Sequence, residues 1–127
     1  MALRKNWKDL ELVRNRTKIY ELCIRNKTTG QLENIEDYIV YFTVKKQVSD
    51  EDSEAIISKK IGAESGCDYD HAEASSGKTL IILTPTDTNQ TKGNYYYDMI
   101  IKKSEDDVIE ILTGRIRITE PIRKETT

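Results

Sequence analysis

The chain has 127 residues, enough for one domain around one core. Charged residues make up 33% and apolar residues 37%, too apolar a balance for disorder throughout. The 20 basic and 22 acidic residues, a net charge of −2, are mixed along the sequence, which argues against the dedicated, clustered basic face a nucleic-acid surface needs.

The opening segment is locally basic, with Arg4, Lys5, Lys8, Arg14, Arg16 and Lys18. It reads as a solvated leader over 1–8 followed by a first strand. "MALRKNWKDLEL" lacks the apolar core of a signal peptide, and no stretch approaches the roughly 20 apolar residues of a membrane helix. Synthesis in a cytosol is the expectation, and Cys23 and Cys67 fit it as free thiols. Trp7 falls in the leader, outside the expected domain.

"RTKIYELCIR" (16–25) alternates: Tyr20, Leu22 and Ile24 share one side, and Ile19, Glu21 and Cys23 the other. That step of two predicts a strand. "NKTTGQ" supplies a turn at Gly30. "DYIVYFTVKK" (37–46) is the clearest strand, with Tyr38, Val40, Phe42 and Val44 on one face and Ile39, Tyr41, Thr43 and Lys45 on the other. In "SDEDSEAIISKKI" the acidic start after Ser49 suits a helical turn, and "AIISKKI" reads as a short strand.

Residues 62–77 are polar and rich in small side chains, a long connection with a short strand near Tyr69. "CDYDH" gathers Cys67, Asp68, Asp70 and His71, which a polar loop explains without a metal. "KTLIILTP" (78–85) is a strand stopped by Pro85, and "TDTNQTKG" a polar corner. "NYYYDMIIKK" (94–103) and "VIEILTGRIRITEP" (108–121) are strands joined by "SEDD", with a bulge or bend expected at Gly114. Residues 122–127 read as a tail. Seven or so strands with turn signals between them predict an all-β, antiparallel β-sandwich of immunoglobulin type over 9–121; a small barrel is the alternative closure.

The three consecutive tyrosines divide under this alternation. Tyr95, Tyr97, Met99 and Ile101 form the apolar face, and Tyr96, Asp98, Ile100 and Lys102 the outer one. Gly93 followed two residues later by Tyr95, with Asp87 upstream, has the spacing of a tyrosine corner entering strand F. Gly93, Tyr95 and Tyr97 are therefore fold markers. Tyr97 stands where antibody domains place their second cysteine, which excludes an inter-sheet disulfide of that kind, and Phe42 stands in for the strand-C tryptophan.

Together the segments "LVRNRTKIYELCIRN", "IVYFTVKK", "GKTLIILTPTDT", "KGNYYYDMIIKK" and "ILTGRIRITEP", in that order, resemble the N-terminal domain of phage baseplate upper proteins and the small phage proteins similar to it. The resemblance spans about residues 9–121. It implies an immunoglobulin-like docking module of the virion, in the tail or baseplate, made in the cytoplasm of the bacterial host. Its implied partners are other phage structural proteins, and homo-oligomerisation fits a protein acting in rings. The resemblance supplies no catalytic residue and no cofactor. The long C-terminal extension of baseplate upper proteins has no counterpart among these residues.

Tyr96 and Tyr69 are the candidate interaction residues, because tyrosine is favoured at interfaces. A carbohydrate-binding or adhesion module is the alternative reading, weakened because Tyr96 stands without a second exposed ring. Catalysis is not expected: there is one histidine and no G-x-S-x-G, P-loop or HExxH pattern. The pairs Asp50/Asp52 and Asp106/Asp107 sit in polar turns, where solvation accounts for them.

Overall fold

The computed structural model describes residues 7–26 and 28–122. Seven strands carry the fold: β1 (Leu10–Val13), β2 (Lys18–Cys23), β3 (Ile39–Lys45), β4 (Ile57–Ile61), β5 (Lys78–Leu83), β6 (Gly93–Ser104) and β7 (Asp107–Thr119). One helical turn, α1 (Pro85–Thr88), and two 3-10 turns at Asp52–Glu54 and Ala74–Ser76 complete the regular structure. Arg4, Lys5 and the tail past Ile122 lie outside the described residues.

One sheet has the order β1-β7-β6-β3-β4 and the other is the pair β2-β5. Every pairing is antiparallel except that of β1, which joins β7 in parallel. β7, β6 and β3 take the places of immunoglobulin strands G, F and C, with β4 added beyond them; β2 and β5 lie opposite as B and E. The chain crosses between sheets repeatedly and neither sheet closes on itself. The protein is therefore a β-sandwich of immunoglobulin type and not a barrel.

Alternation builds the core from both sheets. Val40, Phe42 and Val44 of β3, Tyr95, Tyr97, Met99 and Ile101 of β6, and Ile116 and Ile118 of β7 are all buried, facing Ile81 and Leu83 of β5. Tyr20, Phe42 and Tyr97 form a line of rings across the interior, with centroids 6.2 Å and 6.1 Å apart. Burying a ring such as Phe42 contributes about 1.5–3 kcal/mol. This line occupies the place of the antibody tryptophan and disulfide, and Cys23 and Cys67 are both free.

Four local features depart from the sequence reading. The first basic strand is two strands in different sheets, because Asn15 adopts a left-handed φ of 56° and turns the chain between them. The helical turn of the acidic segment is capped by Glu51, not Ser49; strand β4 follows it. The strand expected near Tyr69 is reduced to a single parallel bridge with Ile61.

Gly114 is not the bulge. Leu112 faces Met99 and Glu110 faces Ile100, which makes Ile111 the extra residue. Gly114 instead permits a close approach: a Cβ there would run into the carbonyl of Lys8. Lys8 crosses at that point with its N–H donating to Thr113 C=O (2.9 Å).

The polar corner before β6 is ordered by its own side chains. Thr84 caps α1 and accepts from Asp87 N–H, Pro85 fills the first helical position, and Asp87 accepts back from Thr84 N–H (2.8 Å). Lys59 of β4 reaches Asp87 at 2.8 Å.

Candidate functional site

The outward face of the five-stranded sheet forms the site. Strand register sets its side chains in rows. Lys45, Tyr96 and Arg115 lie side by side across β3, β6 and β7. The next rows are Thr43, Asp98 and Thr113, then Tyr41, Ile100 and Glu110. These residues alternate with the buried set, so the hydrophobic pattern that fixes the core also fixes what this face presents. The β3–β4 connection (Gln47, Val48, Ser49 and Asp52) rises at one end, and Glu105 and Val108 at the other. The result is an open trough of about 1700 Å³.

Trp7 belongs to the trough. It makes a parallel bridge to Thr113 and is 37% exposed, and its indole N–H donates to Asp9 (3.1 Å). Tyr97 holds this segment from below, its hydroxyl donating to Lys8 C=O (2.5 Å). Burial pushes the Tyr97 hydroxyl up to about 12, with the Asp9 charge adding to it. Tyr96 therefore does not stand alone: Trp7, Tyr41 and Tyr96 line one concave surface. The expected leader over 1–8 places Trp7 outside the domain, whereas its bridge to Thr113 ties it to the sheet.

The charges of the trough are constrained. Burial pushes the Asp98 carboxyl above the usual range, Glu110 pushes it further, and Lys45 opposes them. Lys45 is held at the rim by Asp52 (2.7 Å) and Asp50 C=O (2.9 Å), and its hydrogen bond to Asp52 keeps its ammonium above the ordinary lysine range. Lys60 of β4 lies over the Tyr41 ring, 6.0 Å from its centre. Lys102 pairs with Glu105 (3.0 Å). A half-buried carboxylate among rings and cations suits a partner that brings hydrogen-bond donors to it.

The other candidate residues lie elsewhere. Tyr69 packs its ring against the core, and its hydroxyl accepts the Ile82 N–H (2.7 Å). It does not line the trough. Tyr95 is 5% exposed, and its hydroxyl donates to Thr91 C=O (2.5 Å), closing a tyrosine corner four residues back. Gly93, with φ of 152°, begins β6 just before it.

His71 is buried, its Nε2 bonded to Tyr38 C=O (2.8 Å) and its Nδ1 to Thr79 Oγ1 (2.9 Å). A carbonyl only accepts, so Nε2 carries the proton. Among the described residues no group of three or more His, Cys, Asp or Glu side chains is placed to hold a metal.

No protein-family model and no curated protein matches the chain. Among solved structures it is similar to the N-terminal domain of phage TP901-1 ORF48, with a TM-score of 0.45 and 14% identity, covering 89% of this chain and 84% of that one. It is also similar to the extracellular domain of the voltage-gated sodium channel beta4 subunit, described as a parallel homodimer with a role in cell-cell adhesion. There the TM-score is 0.46 and the identity 11%, over 96% of this chain and 98% of that one. The strand order and register define the fold without either.

Proposed function

We propose that this chain is a non-catalytic docking module of a phage particle, used in its tail or baseplate, and that the trough is its docking surface. The partner is another structural protein of the same particle. One observation carries the reading: Trp7, Tyr41 and Tyr96 converge on one concave face, interleaved with Lys45, Asp98 and Lys102. Rings supply contact area at low entropic cost, and flanking charges set orientation. The order of "IVYFTVKK", "GKTLIILTPTDT" and "KGNYYYDMIIKK" resembles the phage baseplate family and supports the location in the virion. His71, the chain's one histidine, spends both ring nitrogens inside the core, which leaves the trough without an imidazole for acid–base work.

The test is mass spectrometry of purified particles together with pull-down of tail proteins by the isolated chain. The chain is expected in the particles, and Tyr96→Ala with Tyr41→Ala is expected to lose the tail-protein partner while keeping the fold. A chain missing from particles defeats the reading.

The same three rings favour a second reading, a carbohydrate-binding or adhesion surface, since sugars stack on exposed aromatic faces. The breadth of the trough and its spread of both charge signs favour a protein. A glycan array separates the two: binding abolished by Tyr96→Ala would move the assignment to a glycan.

A further inference from the structure

The sheet edges end differently. Beyond β4, Asp68 and Tyr69 continue the pairing: Asp68 N–H donates to Lys60 C=O (2.7 Å) and Gly62 N–H to Tyr69 C=O (2.9 Å). Beyond β5, Lys78 exchanges backbone bonds with Glu73 (3.0 and 3.1 Å), and the Tyr69 hydroxyl takes the Ile82 N–H. Nothing among the described residues covers β2 in this way.

Ile24 N–H donates to Gly77 C=O, which lies on the β5 side. Alternation then turns the N–H and C=O groups of Ile19, Glu21, Cys23 and Arg25 away from β5. Lys78 agrees: it faces Cys23 in register yet spends its own N–H and C=O on Glu73, away from β2. Ile19, on this strand, is 52% exposed. A row of unpaired backbone groups is a template for another strand.

We propose that the open edge of β2 pairs antiparallel with β2 of a second copy about a two-fold axis at Cys23, giving a four-stranded sheet across the dimer. Among axes at Tyr20 to Cys23, the side chains select that register. In a two-fold antiparallel pair, facing residues must point to the same side, which joins odd positions to odd and even to even. Centring on Glu21 sets two carboxylates against each other. Centring on Tyr20 or Leu22 puts Glu21 opposite Ile19 or Cys23, neither of them a cation, so Lys78 of its own chain (3.8 Å) remains its nearest ion pair.

Centring on Cys23 places Glu21 of each copy opposite Arg25 of the other, twice, and Leu22 opposite Ile24 on the inner side. Each outward pair exchanges two backbone bonds. A surface that is its own complement is what an isologous dimer requires. The trough lies on the other sheet, so this contact leaves it open and stands independently of the docking role.

Sedimentation velocity on the full chain tests the proposal. The chain is expected to dimerise. Glu21→Arg and Arg25→Glu should each weaken the dimer, on the order of tenfold for two like-charge pairs, and the double exchange should restore it. In a Cys67→Ser background, two Cys23 thiols facing across the axis give up two protons and two electrons to diamide and form one inter-chain disulfide. Glu21→Cys, in a background of Cys23→Ser and Cys67→Ser, should give no such bond. Circular dichroism confirms that each variant is folded. A chain monomeric into the millimolar range, a dimer indifferent to Glu21→Arg, or equal cross-linking from positions 21 and 23 overturns the proposal.

Discussion

The two sheets of this sandwich are held by different forces. In the five-stranded sheet, β3, β6 and β7 each pair along both edges, and the backbone ladder itself carries much of the order. The other sheet is only β2 and β5, and a two-stranded ribbon is marginal by itself in water. Side chains tie it to its neighbour. Tyr20 reaches Phe42, His71 bridges Thr79 of β5 to Tyr38 before β3, and Tyr69 caps β5 from the β4 side. The large sheet is held by its own ladder, which leaves its outer face to side chains the core does not use, whereas the small sheet depends on the interior.

Breaking the interior should therefore hurt most. Phe42 is fully buried and touches rings from both sheets. Phe42→Ala is expected to cost about 3–5 kcal/mol in urea unfolding and to release the β2–β5 amides first in hydrogen exchange. Equal loss of protection in both sheets would erase the contrast.

His71→Ala comes next. It leaves the Tyr38 carbonyl and the Thr79 hydroxyl unpaired in the interior, at a cost of about 1–3 kcal/mol. Amide exchange should rise in β5 more than in β6. Tyr95→Phe removes one hydrogen bond at the entry to β6, within the region the large sheet already holds, and should cost about 1 kcal/mol.

The smallest effect lies on the outer face. Asp98 has a folded-state carboxyl above its unfolded value, because of burial and then Glu110. The folded protein therefore holds that proton more tightly than the unfolded chain does. Stability contributed by Asp98 is present below the unfolded value near pH 4 and declines as pH rises through the raised folded value. Asp98→Asn is expected to stabilise slightly at pH 7, with the gain vanishing in acid. A loss of stability at pH 7 would mean that Asp98 is held by favourable contacts that outweigh its burial.

Much of this was legible in the sequence where residues alternate. Strict period two in 37–46 and 94–103 placed Phe42, Tyr95 and Tyr97 inside and Tyr96 and Asp98 outside, as the burial pattern has them. The glycine-to-tyrosine spacing at Gly93 and Tyr95 marked a corner whose bond runs to Thr91. What alternation does not encode is which strand a short segment joins. Leu10–Val13 separates from β2 only through the backbone of Asn15, and a leader ending at residue 8 leaves out Trp7, which bridges to Thr113 on the trough. Gly114 stands out in the sequence, but the reason for it is a distant one: Lys8 passes over it. His71 looked like part of a polar loop because its two partners, Tyr38 and Thr79, are far away in sequence or hidden in a strand.

The measurement that bears most directly on the docking role is photo-cross-linking in assembled particles. A photoreactive amino acid in place of Tyr96, on the trough, is compared with the same group in place of Val13, which is 39% exposed on β1. The trough position is expected to yield an adduct with another structural protein of the particle, identified by mass spectrometry, and the Val13 position to yield far less. Particles that lack the chain, or adducts that form equally from both positions, would contradict the account.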